Sequence, residues 1–222
     1  MNSRNNKVPS AAGSMVAGAN EISIWEIQEA LARQPSRVVP PASGMRHAAV
    51  ALVFAGYAEA PELCLIRRAE REGDPWSGHM AFPGGKEEPL DADLRTAAER
   101  ETLEEVGLRL EESHFLAGLP RSPVRSGGAD TGMQLFPFVY YMGESIAPLT
   151  PNGEVAEAFW IPFSYILDSR NYAEMPLRRN GELLKFPSVT YGAHHIWGMT
   201  YRVLVQFARA ISRHLPDPPG FG

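Results

Sequence analysis

Residues 82–108 constrain this chain more than any other part of its sequence. They read FPGGKEEPLDADLRTAAERETLEEVGL, in which two adjacent glycines precede a segment with a helical pattern. Within it, Glu101, Glu104 and Glu105 have the spacing of one helix face. Three carboxylates on one face repel one another unless a cation lies between them. Hard divalent cations take oxygen ligands, and glycines let a backbone come close to a ligand. The segment therefore predicts a metal site built to face phosphates.

A Glu-rich helix also occurs as an ordinary solvated surface. The glycine turn before the helix, and Arg100 and Gly107 at either end of the carboxylates, favour the metal site over that alternative. Arg100 has five donors in a rigid fork, which suits it to hold a carboxylate in place. We therefore predict that Arg100 orients Glu101 or Glu104 rather than contacting a substrate directly.

The segment resembles the Nudix box, whose usual form is G-x5-E-x7-R-E-u-x-E-E-x-G-u, with u an apolar residue. Gly85 supplies the first glycine, and Asp91 stands where the first Glu usually is. Eight residues, not seven, separate Asp91 from Arg100, and this variant resembles the coenzyme A diphosphatase branch of the Nudix hydrolases. Further matches to that branch are LIRRA at 65–69, GHMAFPGG at 78–85 and WGMT at 197–200. The resemblance is close over 46–108 and absent over 1–45.

The resemblance implies an α/β fold, the Nudix-type α/β/α sandwich with a mixed central sheet. It also implies a metal-dependent enzyme that cleaves the diphosphate linkage of a nucleotide derivative, with coenzyme A or acyl-coenzyme A as the first expectation. The same chemistry on an ADP-sugar, a dinucleotide or a nucleoside triphosphate is the alternative. A catalytically silent Nudix domain that senses a nucleotide is a third reading, and the complete carboxylate patch counts against it.

By the same resemblance, Mg²⁺ or Mn²⁺ is the expected cofactor. Its expected ligands are Glu101, Glu104 and Glu105, with the Gly84 carbonyl and Glu154 as further candidates. Glu154 is a candidate because members of the family often add a metal-binding or basic carboxylate from a later loop. Glu157 is the second candidate for that role. Glu104 is a candidate to polarise the attacking water, but the sequence leaves the identity of the base open.

Several residues near the box are candidates for substrate contacts. Arg67 or Arg68 is expected to reach a phosphate, which matches the geometry of a guanidinium, although an ordinary surface pair is the alternative. Phe82, in the glycine turn before the helix, is a further candidate for a substrate contact. Trp76 either stacks on a base or packs against the protein. The branch usually has a basic residue where this chain has Asp74. A negative charge near the acidic end of a substrate would weaken coenzyme A binding, and the alternative is that Asp74 only shapes a turn.

Composition narrows the class of protein. With a net charge of −5 over 222 residues the chain offers no basic surface, so the expected partner is a small-molecule nucleotide and not a nucleic acid. The single cysteine, Cys64, lies in an apolar run and is predicted to be a buried hydrophobe. A lone cysteine forms no internal disulfide, which favours the cytoplasm. No apolar run reaches the ~18 residues of a membrane span. The sequence does not determine the oligomeric state, and a homodimer is left open.

The pattern along the chain predicts four segments. They are a disordered tail over 1–20, a short helix with a Pro-rich linker over 21–45, a domain over 46–215 that the resemblance implies is a Nudix hydrolase domain, and a loose tail over 216–222. Within the domain we predict strands at 47–55, 62–67, 115–119, 134–142 and 157–162, a loop at 121–132, a hairpin at 177–189 and a closing helix at 196–215. His194 and His195 are adjacent, and on an extended chain they face opposite ways, so we predict structural histidines and not a metal pair. Trp197 is predicted to be a core residue.

Overall fold

The computed structural model describes residues 20–34, 44–74, 76–126, 129–179 and 181–218. Most of the predicted tail and linker lies outside the described residues. The helices are α1 (Ile24–Ala32), α2 (Leu94–Val106), α3 (Phe163–Leu167) and α4 (Gly198–Ala210). The strands are β1 (Arg46–Ala55), β2 (Glu62–Arg68), β3 (Met80–Ala81), β4 (Gly84–Lys86), β5 (Phe115–Gly118), β6 (Ser122–Ser126), β7 (Ala129–Tyr141), β8 (Val155–Pro162), β9 (Tyr172–Arg179), β10 (Glu182–Tyr191) and β11 (His194–Ile196). None of the described helices is both long enough and apolar enough to cross a bilayer.

The central sheet is mixed, as predicted. Its main path runs β3-β2-β1-β7-β5, while β8 pairs with β2, β4 with β1 and β6 with β7. β1 and β7 are parallel along their whole contact, and the other pairs are antiparallel. The short strand β4 carries the two glycines of the box and lies against the middle of β1. This pairing fixes the start of the box on the sheet.

Successive apolar residues of β1 face two separate cores, one on each side of the sheet. Leu52 and Phe54 face the core that holds α1, α3 and α4, whereas Ala51 and Val53 face the core of α2. A strand that is apolar at every position is typical of a sheet covered on both faces. The helices therefore lie on both sides of the sheet, which confirms the α/β/α architecture. Cys64 is fully buried on the α2 side, as predicted.

The prediction of a loop over 121–132 is wrong, because β6 and the start of β7 form a hairpin there. Ser122 and Val124 are buried while Pro123 and Arg125 are exposed, which is the alternation of a half-buried strand. The Gly, Ser and Arg content of the segment concealed that alternation. Residues 127–128, at the tip, lie outside the described part.

A second, three-stranded sheet of β9, β10 and β11 precedes the last helix. The predicted hairpin is confirmed with longer strands, and Asn180 of its turn lies outside the described residues. β11 was not predicted, and Ile196 pairs with Val189 in it, so α4 begins only at Gly198. The start of the predicted loose tail contacts α4, because the Tyr201 hydroxyl donates to the Pro216 carbonyl at 2.8 Å.

Candidate active site

The two glycines of the box are required for different reasons. Gly84 has φ +147°, and a Cβ there would lie 2.2 Å from the Ala49 carbonyl oxygen of β1. A Cβ on Gly85 would lie 2.2 Å from Oε1 of Glu101. The first glycine therefore lets the turn lie on the sheet, and the second admits a carboxylate of α2 against the backbone of the turn.

Helix α2 is fixed at both ends. Asp93 caps its first turn by accepting from the Thr96 N–H at 2.7 Å, and Gly107 ends it in a left-handed conformation with φ 76°. The last carbonyls of the helix accept from a later loop, with the Asn152 N–H donating to the Glu105 carbonyl at 3.1 Å. This contact brings the loop that carries Glu154 over the end of the carboxylate patch.

Glu105 is the buried member of the patch, with 2% of its surface exposed. Its Oε2 accepts the Gly84 N–H at 2.9 Å. The pKa of Glu105 is raised to about 7, chiefly by burial and also by the nearby Glu101 and Glu154, against the lowering effects of the Gly84 hydrogen bond and Arg68. A carboxylate in these surroundings is short of positive charge, which is the condition that a divalent cation relieves.

Glu101 and Glu104 lie further out on the same helix. Burial raises the pKa of Glu101, and Arg100, at 3.1 Å, opposes that shift. Glu104 is about half exposed and lies 3.4 Å from Arg100. In the part of the chain that the structure describes, no three His, Cys, Asp or Glu side chains already converge on one point. The carboxylates are held by Arg100 and by the Gly84 N–H, and a cation would have to draw them together.

Arg100 contacts Glu101 and Glu104, the residues that we expect it to orient, but its main partner is a different residue. Its Nε and Nη2 donate to the two oxygens of Asp91 at 3.0 and 3.1 Å, and Nη2 also donates to the Lys86 carbonyl at 3.1 Å. Hydrogen bonds from Arg100 hold the pKa of Asp91 below its usual range. Sequence reasoning named Asp91 only at the first-Glu position of the box and did not predict its pairing with Arg100.

Arg67 and Arg68 point to opposite sides of the sheet. Arg68 lies on the side of α2, where it lowers the pKa of Glu105 and pairs with Asp74 at 2.9 Å. Its Nε is one of a few buried side-chain atoms that have no hydrogen-bond partner within the described residues. Arg67 donates from Nε to Glu157 at 2.7 Å on the opposite side. Of the two arginines, only Arg68 therefore faces the carboxylate patch.

The later loop contributes Glu154 rather than Glu157 to the surroundings of the patch. Glu154 raises the pKa of both Glu101 and Glu105, and it pairs with Arg71 at 3.1 Å. Glu157 is held by Arg67 on the other face of the sheet. The role of Glu154 as a metal ligand stays a prediction.

The contacts of Asp74 favour the alternative that it shapes a turn. One of its oxygens pairs with Arg68, and the other accepts the Trp76 N–H at 3.0 Å. Burial raises the pKa of Asp74, but these two contacts outweigh it and leave the pKa below its usual value. Asp74 therefore shapes the turn and takes up the charge of Arg68.

Two aromatic predictions need correction. Phe82 is 3% exposed and packs in the main core, so its side chain supports the turn from inside and does not present a surface to a substrate. Trp197 is only half-buried, with its ring 4.8 Å from that of His79. Trp76 packs against the cluster that contains Val124, which favours its packing role, and it is also only half-buried.

The adjacent histidines have separate partners, as expected for structural residues. His194 Nε2 lies 3.8 Å from Glu157, while His195 Nδ1 lies 3.2 Å from the Ser188 hydroxyl. These contacts are consistent with structural histidines, which stays our prediction for both residues.

The two glycines give a matched pair of predictions. In Gly85→Ala the new Cβ meets the end of the Glu101 side chain, which can move, so we expect the melting temperature to hold while kcat falls about a hundredfold from the displaced carboxylate. In Gly84→Ala the new Cβ meets backbone, so we expect a loss of about 1–3 kcal/mol in unfolding free energy. Thermal unfolding and steady-state kinetics on both variants measure these effects. Equal stability of the two variants would contradict the described geometry.

Comparisons with known proteins agree with this architecture. The model of the family described as NUDIX domain matches residues 45–178. The human protein named mitochondrial coenzyme A diphosphatase NUDT8 is 33% identical over 168 residues, which cover 72% of this chain and 67% of the relative. An uncharacterized Nudix hydrolase NudL from Photorhabdus laumondii is 31% identical over 75% of this chain and 85% of its own. A MutT/nudix family protein from Enterococcus faecalis has a similar fold, with TM-score 0.51, 16% identity, and coverage of 86% of this chain and 75% of that chain.

Proposed function

We propose, from the premise that this chain belongs to the Nudix family of hydrolases, that it cleaves the diphosphate linkage of coenzyme A or an acyl-coenzyme A. Membership of the family makes the chain a hydrolase acting on phosphorus anhydrides. Coenzyme A is favoured because a relative with that diphosphatase name is 33% identical to this chain. The observation that carries the site assignment is the buried carboxylate of Glu105, placed beside Glu101 and against the Gly84 N–H.

The residues of the patch fit a hard divalent cation in their chemistry. Carboxylate and carbonyl oxygens are the donors that Mg²⁺ and Mn²⁺ prefer, and burial of Glu105 without a cation is unfavourable to its charged form. The residues that would hold the ion are Glu101, Glu104 and Glu105, with the Gly84 carbonyl and Glu154 as further candidates. When bound, such an ion would neutralise phosphate oxygens and make water a better nucleophile.

The chain itself positions these groups and supplies the remaining charge. Arg100 holds Glu101 near the turn while it anchors Asp91, so it ties the helix to the loop before it. Arg68 faces the patch with a buried Nε that has no partner among the described residues, which supports our assignment of Arg68 as a donor to a phosphate oxygen. Glu104, which is exposed to solvent, is our candidate to accept the proton of the attacking water.

The products of coenzyme A hydrolysis test the assignment of the bond. With Mg²⁺ or Mn²⁺ present, we expect adenosine 3′,5′-bisphosphate and 4′-phosphopantetheine in equal amounts, because attack falls within the diphosphate. Mass spectrometry of the reaction mixture identifies both products, and a sample with excess chelator is the control. Release of inorganic phosphate from intact coenzyme A would point to a different bond and overturn the assignment.

Asp74 is the reason that other diphosphate compounds remain candidate substrates. A basic residue at that position is usual in the coenzyme A branch, and here Asp74 instead takes up part of the charge of Arg68. An ADP-sugar, a dinucleotide or a nucleoside triphosphate would use the same carboxylate patch. A screen of these compounds against the purified protein ranks them by kcat/KM, and a higher value for any of them than for coenzyme A would replace our substrate. Location in the cytoplasm and a homodimer stay predictions, and the human relative is named as mitochondrial.

A further inference from the structure

The hairpin of β9 and β10 has one apolar face. Residues that lie opposite each other in an antiparallel pair share a face of the sheet. The register sets Met175 opposite Phe186 and Leu177 opposite Leu184. Because alternate residues of a strand share a face, all four side chains lie on the same side of the hairpin. All four are half-buried, and we call them the apolar face.

The opposite face of the hairpin is charged and lies in solvent. Glu174, Arg178 and Lys185 are exposed there, and Lys185 pairs with Glu174 at 2.7 Å. Leu183 lies on this charged face as well, with 55% of its surface exposed. The charged face therefore has the composition of an ordinary surface, whereas the apolar face does not.

The apolar face is separate from the hydrophobic cores of the domain. The base of the three-stranded sheet is anchored by Val189 and Ile196, which are fully buried in the core of α1, α3 and α4. Of the residues that the structure describes, those that make up or pack against the hydrophobic cores include no member of the apolar face. Apolar surface that is half-covered and belongs to no core is typical of a binding groove.

Aromatic rings connect the apolar face to the segment that leads into the box. The ring of Phe186 lies 6.0 Å from that of Trp197, and the ring of Trp197 lies 4.8 Å from that of His79. The His79 carbonyl accepts the Arg68 N–H at 3.0 Å. The segment 79–84 then runs from His79 to Gly84, whose N–H donates to Glu105 at 2.9 Å. A continuous line of contacts therefore joins the apolar face to the carboxylate patch.

We propose that the apolar face, together with Trp197, binds the acyl chain of an acyl-coenzyme A. This inference rests on the proposed function and deepens it by naming the part of the substrate that the hairpin recognises. In such a substrate the pantetheine arm separates the acyl chain from the diphosphate, so the chain lies away from the carboxylate patch. The four side chains are uncharged and lack the donors that a phosphate needs, whereas they suit a chain of methylene groups.

The test compares acetyl-coenzyme A with octanoyl-coenzyme A, which has the same diphosphate and a longer acyl chain. For the wild type we expect kcat/KM to be at least about tenfold higher for the octanoyl ester, since a fully buried methylene is worth about fourfold in affinity. Leu184→Thr should lower this ratio at least about threefold, through KM rather than kcat. Leu184→Met, which keeps an apolar side chain, should retain the wild-type ratio.

The chain offers a matched control in the neighbouring leucine. Leu183→Thr makes the same chemical change on the charged face and should leave the ratio at the wild-type value. Melting temperatures check that every variant is folded. Leu177→Thr, on the other strand of the hairpin, is the second variant of the apolar face and takes the place of Leu184→Thr if that variant does not fold.

Calorimetry in the presence of chelator gives a readout that does not depend on turnover. The wild type should bind octanoyl-coenzyme A more tightly than coenzyme A, with a more negative heat-capacity change, because burial of apolar surface lowers the heat capacity. Leu184→Thr should remove most of both differences, and Leu183→Thr should remove neither.

Three results would overturn the acyl site while the proposed function stands. They are a wild-type ratio near one, a ratio that Leu184→Thr and Leu183→Thr leave alike, and a wild-type dimer in light scattering that Leu184→Thr dissociates, since a second copy would then cover the apolar face. A wild type that hydrolyses neither coenzyme A nor its esters would overturn the proposed function and the acyl site with it.

Discussion

Glu105→Gln is expected to lower kcat for diphosphate hydrolysis by at least about a thousandfold, because loss of a charged metal ligand removes several kcal/mol of transition-state stabilisation. The fold should survive the change. The amide of Gln can still accept the Gly84 N–H, and the packing face of α2, which includes Leu94, Ala98 and Val106, is untouched. Steady-state kinetics at saturating Mg²⁺ or Mn²⁺, with circular dichroism of the same sample, separates lost chemistry from lost structure.

The matched control is Glu29→Gln, an exposed glutamate of α1 outside the carboxylate patch. It carries the same chemical change, so its kcat should stay close to that of the wild type. Turnover near the wild-type level in Glu105→Gln at saturating metal would remove Glu105 from the site.

Without metal, the same substitution is expected to stabilise the protein. Burial raises the pKa of Glu105 from 4.5 to about 7, so the folded state prefers the protonated form. Ionisation of Glu105 is easier in the unfolded chain. The wild type therefore loses stability as the pH rises from the pKa of the unfolded state through the pKa of the folded state. At pH 8 the full difference applies, which corresponds to about 3 kcal/mol at ~1.4 kcal/mol for each pH unit. Gln has no charge to lose, so Glu105→Gln should have the higher unfolding free energy by up to about that amount.

Urea unfolding with chelator at pH 8 and at pH 4 measures this effect. The gain from Glu105→Gln should be large at pH 8 and nearly absent at pH 4, where the wild-type carboxyl is protonated in both states. Adding Mg²⁺ at pH 8 should stabilise the wild type and leave the variant almost unaffected, because binding to the folded state adds to its stability. An equal gain at both pH values would show that the effect comes from packing and not from the charge of Glu105.

The carboxylate site was predictable because its signals are local in sequence. The placement of Glu101, Glu104 and Glu105 on one face follows from their spacing and helix geometry alone. The burial of Glu105 did not follow, since it depends on how the β4 turn and the later loop pack on the helix.

Other features depend on contacts between distant parts of the chain. Arg67 and Arg68 are equivalent in the sequence, and only the position of β2 in the sheet assigns Arg68 to the α2 side. Asp74 and Arg68 are close in the sequence, but no periodic pattern of residues indicates that they pair. β6 was missed because one Pro, a bulge and a polar composition conceal a strand that is recognisable only beside β7.

The central claim is that Glu101 and Glu105 hold the catalytic divalent ion, and binding of Mn²⁺ tests it most directly. Electron paramagnetic resonance measures free Mn²⁺ during a titration of the purified protein, without any substrate. We predict that the wild type removes Mn²⁺ from solution and that the double variant Glu101→Gln, Glu105→Gln removes almost none, while Glu29→Gln behaves as the wild type. Equal Mn²⁺ binding by the wild type and the double variant would contradict the account.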